Sequence, residues 1–205
     1  MGGRPFDRRV LARDAVEVAP RLLGSLLTHR TTEGSVTVRL TEVEAYRGDG
    51  QDPGSHAFRG MTPRNAVMFD EPGHLYAYFT YGMHTCVNVV CSPAGSASAV
   101  LLRAGEVVSG VELARERRTS ARNDRDLARG PARLTVALGL TLADNGSDPF
   151  AAPFELTARS GQPAISSGPR VGVSGAGGGA AYPWRFWVTD DPTVSIYRRH
   201  RAASD

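Results

Sequence analysis

Two β-rich runs, residues 74–80 (HLYAYFT) and 84–91 (HTCVNVVC), stand either side of Tyr81-Gly82-Met83. Aromatic and β-branched side chains of this kind fit a pleated surface. Two such runs joined by a short Gly-containing loop read as a β-hairpin, with Gly82 supplying the positive φ. That pairing argues against an all-helical bundle and anchors a sheet. Residues 25–30 and 35–46 read as two further strands around the turn TTEGS, and residues 99–104, 171–173 and 186–189 as others. Helices are expected over 15–23, between a capping box of Asp14 and Glu17 and a Gly24 stop, with Pro20 as a weak point. Others are expected from Thr62-Pro63 to just before Pro72, over VELARERR after a capping box of Ser109 and Glu112, and over 133–138 with Gly139 as the stop. Residues 47–61 read as a loop, and residues 172–181 (GVSGAGGGAA) as a flexible or tightly turning stretch.

Strict βαβ alternation is absent, and no G-x-G-x-x-G follows a strand, which argues against a dinucleotide fold. At 205 residues the expectation is one α+β domain over 1–205. It would hold a mixed, largely antiparallel curved sheet, flanking helices and a protruding β-hairpin, with residues 1–13 and 201–205 as flexible tails.

Composition removes several function classes. The chain is 41% hydrophobic and 22% charged, as globular proteins are, and it has no apolar run long enough to span a membrane. It shows no apolar signal core near the start, so a cytoplasmic location is expected. All 24 basic residues are arginine, so a lysine nucleophile or lysine Schiff base is excluded. Cys86 and Cys91 cannot alone make a disulfide framework or a four-ligand zinc site, and the five histidines show no i,i+4 pair. No metal and no organic cofactor is expected. Seven arginines lie between Arg115 and Arg133, and a second basic run is Arg198, Arg199, His200, Arg201. In isolation such clusters are more often solvated surface, and the alternative is a phosphate-facing one.

Glu42, Glu44 and Tyr46 share a strand face by the two-residue period. A carboxylate beside an aromatic at a strand end suits a general base, although a half-exposed strand gives the same pattern. Tyr76 and Tyr78 also share a face. Asn88 joins them only if 76 pairs with 88, which requires a three-residue loop. Hairpin tips normally carry small polar residues. A tip carrying Tyr81 and Met83 has the character of an apolar wedge, the device that unstacks duplex steps.

The ordered segments T-E-V-E-A-Y (41–46), S-H-A-F-R-G (55–60), T-P-R-N-A-V-M-F (62–69), L-Y-A-Y-F-T-Y-G-M (75–83), C-V-N (86–88) and L-L-R-A (101–104) resemble the alkyladenine (3-methyladenine) DNA glycosylase family. G-P-A-R-L (130–134), R-V-G-V (170–173) and R-F-W-V (185–188) continue the resemblance nearly to the end of the chain. It implies one mixed α/β domain that flips a damaged purine from double-stranded DNA and hydrolyses its N-glycosidic bond, acting as a monomer. By the same resemblance, Glu44 activates water and Arg103 sits near that water and the flipped nucleotide's phosphate. Tyr46 and Tyr78 sandwich the base, His56 is a third wall, and Asn88 disfavours guanine. Tyr81 intercalates, with Met83 beside it. The chain departs from the family in the glycine run 175–179 and in His84, where a Tyr can occur.

The chemistry is consistent with these assignments. A 3-methylated adenine is cationic, so aromatic faces attract it and it is already a good leaving group. Neutral bases such as hypoxanthine need leaving-group assistance as well. Two other classes compete with a glycosylase for alkylated purines: a catalytically silent damaged-DNA-binding protein on the same fold, and a non-specific nucleic-acid-binding domain. The first has no need of Glu44, and the second has no need of a paired tyrosine pocket.

Overall fold

A computed structural model of the chain describes residues 4–48, 50–80 and 82–205. Eight strands form one sheet: β1 (Leu26–Thr31), β2 (Gly34–Arg47), β3 (Leu75–Thr80), β4 (His84–Cys91), β5 (Ser98–Ser109), β6 (Phe154–Thr157), β7 (Ile165–Gly168) and β8 (Arg185–Val188). The main path runs β3-β4-β5-β2-β1-β6, with β8 joining β2 to β7. Every strand ladder in it is antiparallel. Three helices flank it: α1 (Ala15–Leu22), α2 (Val111–Arg117) and α3 (Pro131–Leu138). The protein is thus an α+β domain with a curled antiparallel sheet.

One edge of the long strand β2 pairs with β5, while its other edge is shared by β1 and β8. Its hydrophobic phase changes midway. Val36, Val38 and Leu40 enter the main core with α1 and α3, and so do Val43 and Ala45. Even positions face the core before residue 41 and odd positions after it. The ladder with β5 explains the switch: Leu40 pairs with Gly105 and Glu42 with Ala104, so Thr41 is an extra residue. A bulge of this kind turns all following side chains to the opposite face. Glu42, Glu44 and Tyr46 therefore point away from the core that an unbulged β2 would have driven them into.

A second bulge is on β5. Glu42 pairs with Ala104 and Val43 with Leu102, leaving Arg103 unpaired between them. This irregularity turns Arg103 towards the carboxylates of β2. On the same side of the sheet a smaller core of Ala57, Met68, Phe69, Tyr76, Val90, Ala97 and Ala99 supports the loop after β2.

Several local expectations need correction. No α-helix follows Thr62-Pro63. The Asn65 side chain accepts from the Thr62 N–H at 2.6 Å and donates to the His56 and Gly60 carbonyls, so a side-chain-closed turn wins and only a 3₁₀ turn, Ala66–Phe69, follows. Helix α2 starts from Gly110 at φ +72° with no side-chain cap, and Ser109 stays in β5. A Cβ at Gly110 would lie 2.1 Å from the Ser35 carbonyl oxygen, so close approach of two backbones demands glycine there. Residues 171–173 form no strand, whereas β6 and β7 were not anticipated. Both are four residues long, and neither carries the consecutive aromatic and β-branched residues that mark β8, which has the same length. The terminal segments make definite contacts: Leu11 is fully buried, the Phe6 N–H donates to the Leu156 carbonyl, and Ala203 bridges Gly175.

Candidate active site

The hairpin register pairs Tyr76 with Asn88 and Thr80 with His84. Asn88 in turn lies opposite Leu101 on β5, and Leu101 opposite Glu44 on β2. One rung thus crosses four strands and carries Tyr76, Asn88, Leu101 and Glu44 on one face. Two strand spacings, roughly 10 Å, separate the positions of Asn88 and Glu44. Tyr78 is one pleat nearer the hairpin tip, opposite Cys86.

These residues line a cavity of about 450 Å³ whose walls also include Tyr46, His56, Arg103, the loop at Val171 and the start of α3 at Pro131. Six sequence-predicted site residues, Glu44, Tyr46, His56, Tyr78, Asn88 and Arg103, line this one cavity. Met83 does not; its side chain is 69% exposed at the hairpin end, near the exposed Phe79. Tyr81 lies outside the described residues.

Glu44 is fully buried and both its oxygens are held. The Tyr46 hydroxyl donates to Oε2 at 2.8 Å, and the Val171 backbone N–H donates to Oε1 at 2.8 Å. Arg103 Nε lies 3.5 Å from Glu44 Oε1 and donates to Glu42 Oε1 at 3.0 Å. Among the described residues, none accepts a hydrogen bond from Arg103 Nη1 or Nη2, so those donors face the cavity. Burial lowers the Arg103 pKa, but the Glu44 and Glu42 carboxylates outweigh it and the guanidinium stays charged. Glu42 does not line the cavity. It also accepts from Arg185 Nε at 2.6 Å and from the Ser195 N–H and hydroxyl at 2.8 and 3.0 Å.

The aromatic walls keep their protons. Burial pushes the Tyr46 phenol well up, helped by the Glu44 charge, so it remains a donor. Burial and the neighbouring Cys86 push Tyr78 up as well. Tyr76 and Tyr78 stack at 5.4 Å, and His56 meets Tyr78 edge-on at 4.6 Å. Burial first, then the Arg64 charge, lowers the His56 pKa, so its ring is neutral near pH 7. Its Nδ1 lies 3.1 Å from the Tyr76 hydroxyl. The Asn88 amide donates to the Tyr76 carbonyl at 3.3 Å, which sets its orientation.

The methylpurine-DNA glycosylase family model matches residues 9–192. The chain belongs to that family. It is 62% identical over 200 residues to a protein of Leifsonia xyli, covering 96% of this chain and 94% of that one. It is 56% identical over 203 residues to one of Streptomyces avermitilis, at 96% and 93% coverage, and 53% identical over 197 residues to one of Nocardia farcinica, at 92% and 90%. All three carry the name "Putative 3-methyladenine DNA glycosylase". As a member of this family the chain is a DNA glycosylase of DNA repair, a hydrolase class whose substrate is damaged DNA.

Sequence reasoning missed the Val171 N–H, Cys86 and the residues behind Tyr46. Arg170 gave no signal beyond the R-V-G-V string. Three of the seven arginines between Arg115 and Arg133 are spent on internal pairs: Arg115 with Glu112 and Asp124, Arg117 with Glu33, and Arg129 with Asp126. Arg133 is the member that lines the cavity mouth. Among the described residues no cluster of three or more His, Cys, Asp or Glu is arranged to hold a metal, and no helix is long and apolar enough to cross a membrane.

Proposed function

We propose that this chain is a monofunctional glycosylase that removes alkylated purines, of the 3-methyladenine kind, from duplex DNA in base excision repair. The observation that carries the reading is Glu44: a fully buried carboxylate oriented by two donors, on the wall of a cavity that also presents three tyrosines, a neutral histidine and an amide.

A flipped purine cation enters between Tyr46 and Tyr78, whose rings favour it by cation–π attraction. His56 closes the third side. Glu44 takes a proton from a water as that water attacks C1′, and its charge stabilises the developing oxocarbenium ion. The N-glycosidic bond breaks with its electron pair going to the base, which leaves neutral. Arg103 offers its free Nη donors to the water or to the flipped nucleotide's phosphate. Met83 and Tyr81 occupy the duplex where the base has left.

Incubation with methylated duplex DNA tests the whole reading. Free methylated purine should appear and the abasic strand should stay intact until alkali is added. Backbone cleavage by a glycosylase passes through an adduct with a lysine or the chain's α-amino group; no lysine is present, and the proposed site holds a carboxylate, Glu44, for water instead. Borohydride should therefore trap no protein–DNA adduct. Absence of base release would favour a silent damage-binding protein, and a trapped adduct would refute water as the nucleophile.

Asn88 is the proposed guard against guanine. Its amide would meet the exocyclic amino group, a mismatch of about 1–3 kcal/mol when a polar group is left unpaired. Asn88→Ala should raise guanine release relative to alkylated-purine release, measured by competition between the two bases in one DNA. An unchanged ratio would remove Asn88 from selectivity.

A further inference from the structure

Behind Tyr46, on the side away from the cavity, lies a buried ion pair that the proposed chemistry does not use. Arg170 and Asp52 both have fully buried side chains, and they pair through two parallel hydrogen bonds of 2.6 Å. Taking two charges out of water is expensive, and apolar residues of similar volume are often as stable. The position therefore calls for a reason other than stability.

The guanidinium reaches three parts of the chain at once. Nη1 also donates to the Ala45 carbonyl at 3.0 Å on β2, between Glu44 and Tyr46. Nη2 and Nε donate to the Gly177 carbonyl at 2.7 and 3.2 Å. Its Cζ stands 4.5 Å from the centre of the Tyr46 ring. Asp52, through its own Oδ2, also accepts from the Arg47 N–H at 3.2 Å, so the loop carrying His56 is tied to the end of β2. The next residue along from Arg170 is Val171, whose N–H holds Glu44. A Cβ on Gly54 would come within 2.7 Å of Arg170 Nη2, and one on Gly177 within 2.5 Å of the Gly54 nitrogen, so the cradle is closed to side chains. Gly54 and Gly177 are thus the residues that seating an arginine fork here requires.

We propose that Arg170 is a positioning residue: clamped by Asp52, it sets the Val171 N–H and the Tyr46 ring so that Glu44 presents a fixed lone pair to the attacking water. This rests on the base-excision reading above. Positional errors of about 1 Å in a catalytic group cost up to ~10²-fold in rate. A lysine at 170 keeps the charge but cannot make the planar fork, the Ala45 and Gly177 contacts and the stack together.

The test is single-turnover base release from methylated duplex by Arg170→Lys and Asp52→Asn, beside binding of a duplex with a tetrahydrofuran abasic analogue. Release should fall ~10- to 10²-fold in each while binding stays within about two-fold. Residues that act as a unit are non-additive. In a Glu44→Gln background, Arg170→Lys should therefore cost less than about two-fold further. Normal release in both single variants would overturn the proposal. So would parallel loss of release and binding, or an equal loss in both backgrounds, since either means the pair only holds the fold. No release by the unsubstituted protein would sink the function itself, a distinguishable result.

Discussion

A Glu44→Gln variant should bind a damaged duplex normally and release base at least ~10² more slowly. Glutamine keeps the length of the side chain and can still accept from the Val171 N–H that now donates at 2.8 Å. It loses the proton acceptor and the negative charge opposite the developing oxocarbenium ion, and removal of one such electrostatic element costs on the order of 10²–10³ in rate. Duplex binding should not follow, because the stacking walls and the hairpin are untouched. Single-turnover release against equilibrium binding separates the two. Near-normal release would demand another base: Glu42 is fully buried, does not line the cavity, and its oxygens already serve Arg103, Arg185 and Ser195, which leaves the neutral His56, whose ring is held against the Tyr76 hydroxyl and the Tyr78 ring.

The sequence held much of this site because strand period is a local property. Tyr76, Tyr78 and Asn88 share a face as soon as the hairpin loop has three residues, and the observed Tyr76–Asn88 pairing meets that condition. Glu42, Glu44 and Tyr46 likewise share a face. Which face was not legible. The two-residue period carried back through Leu40, Val38 and Val36 puts all three in the main core. Only the extra residue at Thr41 reverses them, and a bulge is set by how β5 pairs, not by β2 alone. The same holds for Arg103, whose bulge on β5 turns it to the carboxylates.

What escaped entirely is non-local. Asp52 and Arg170 are 118 residues apart and the Val171 N–H meets a side chain 127 residues away. No window of local pattern contains either. The helix expected after Pro63 fails to form for a different reason. Its start signal is real, but the buried Asn65 offers the backbone a competing set of hydrogen bonds and takes it.

The strongest effect on stability is expected two residues from the catalytic carboxylate. Glu42 and Glu44 face Arg103 and Arg185, two charges of each sign in a nearly dry cluster. Glu42 is the hub, since both arginines and Ser195 donate to it. Glu42→Ala leaves Arg185, whose side chain is 6% exposed, without its 2.6 Å partner, and leaves Arg103 to a single carboxylate at 3.5 Å. Removing one side of a buried ion pair costs about 3–5 kcal/mol, far more than the pair itself contributes, because the remaining charge is stranded. In a domain of this size each kcal/mol moves Tm by roughly 2–4 °C. Glu42→Ala should therefore melt roughly 6–20 °C below the unsubstituted protein, whereas Glu44→Gln, which keeps a side chain of the same shape and leaves Glu42 to hold both arginines, should melt within a few degrees of it. Urea unfolding of both variants decides the matter. If Glu42→Ala unfolds at the same denaturant concentration as the unsubstituted protein, the two arginines reach water through some rearrangement, and the division of one carboxylate for the fold and one for the chemistry is wrong.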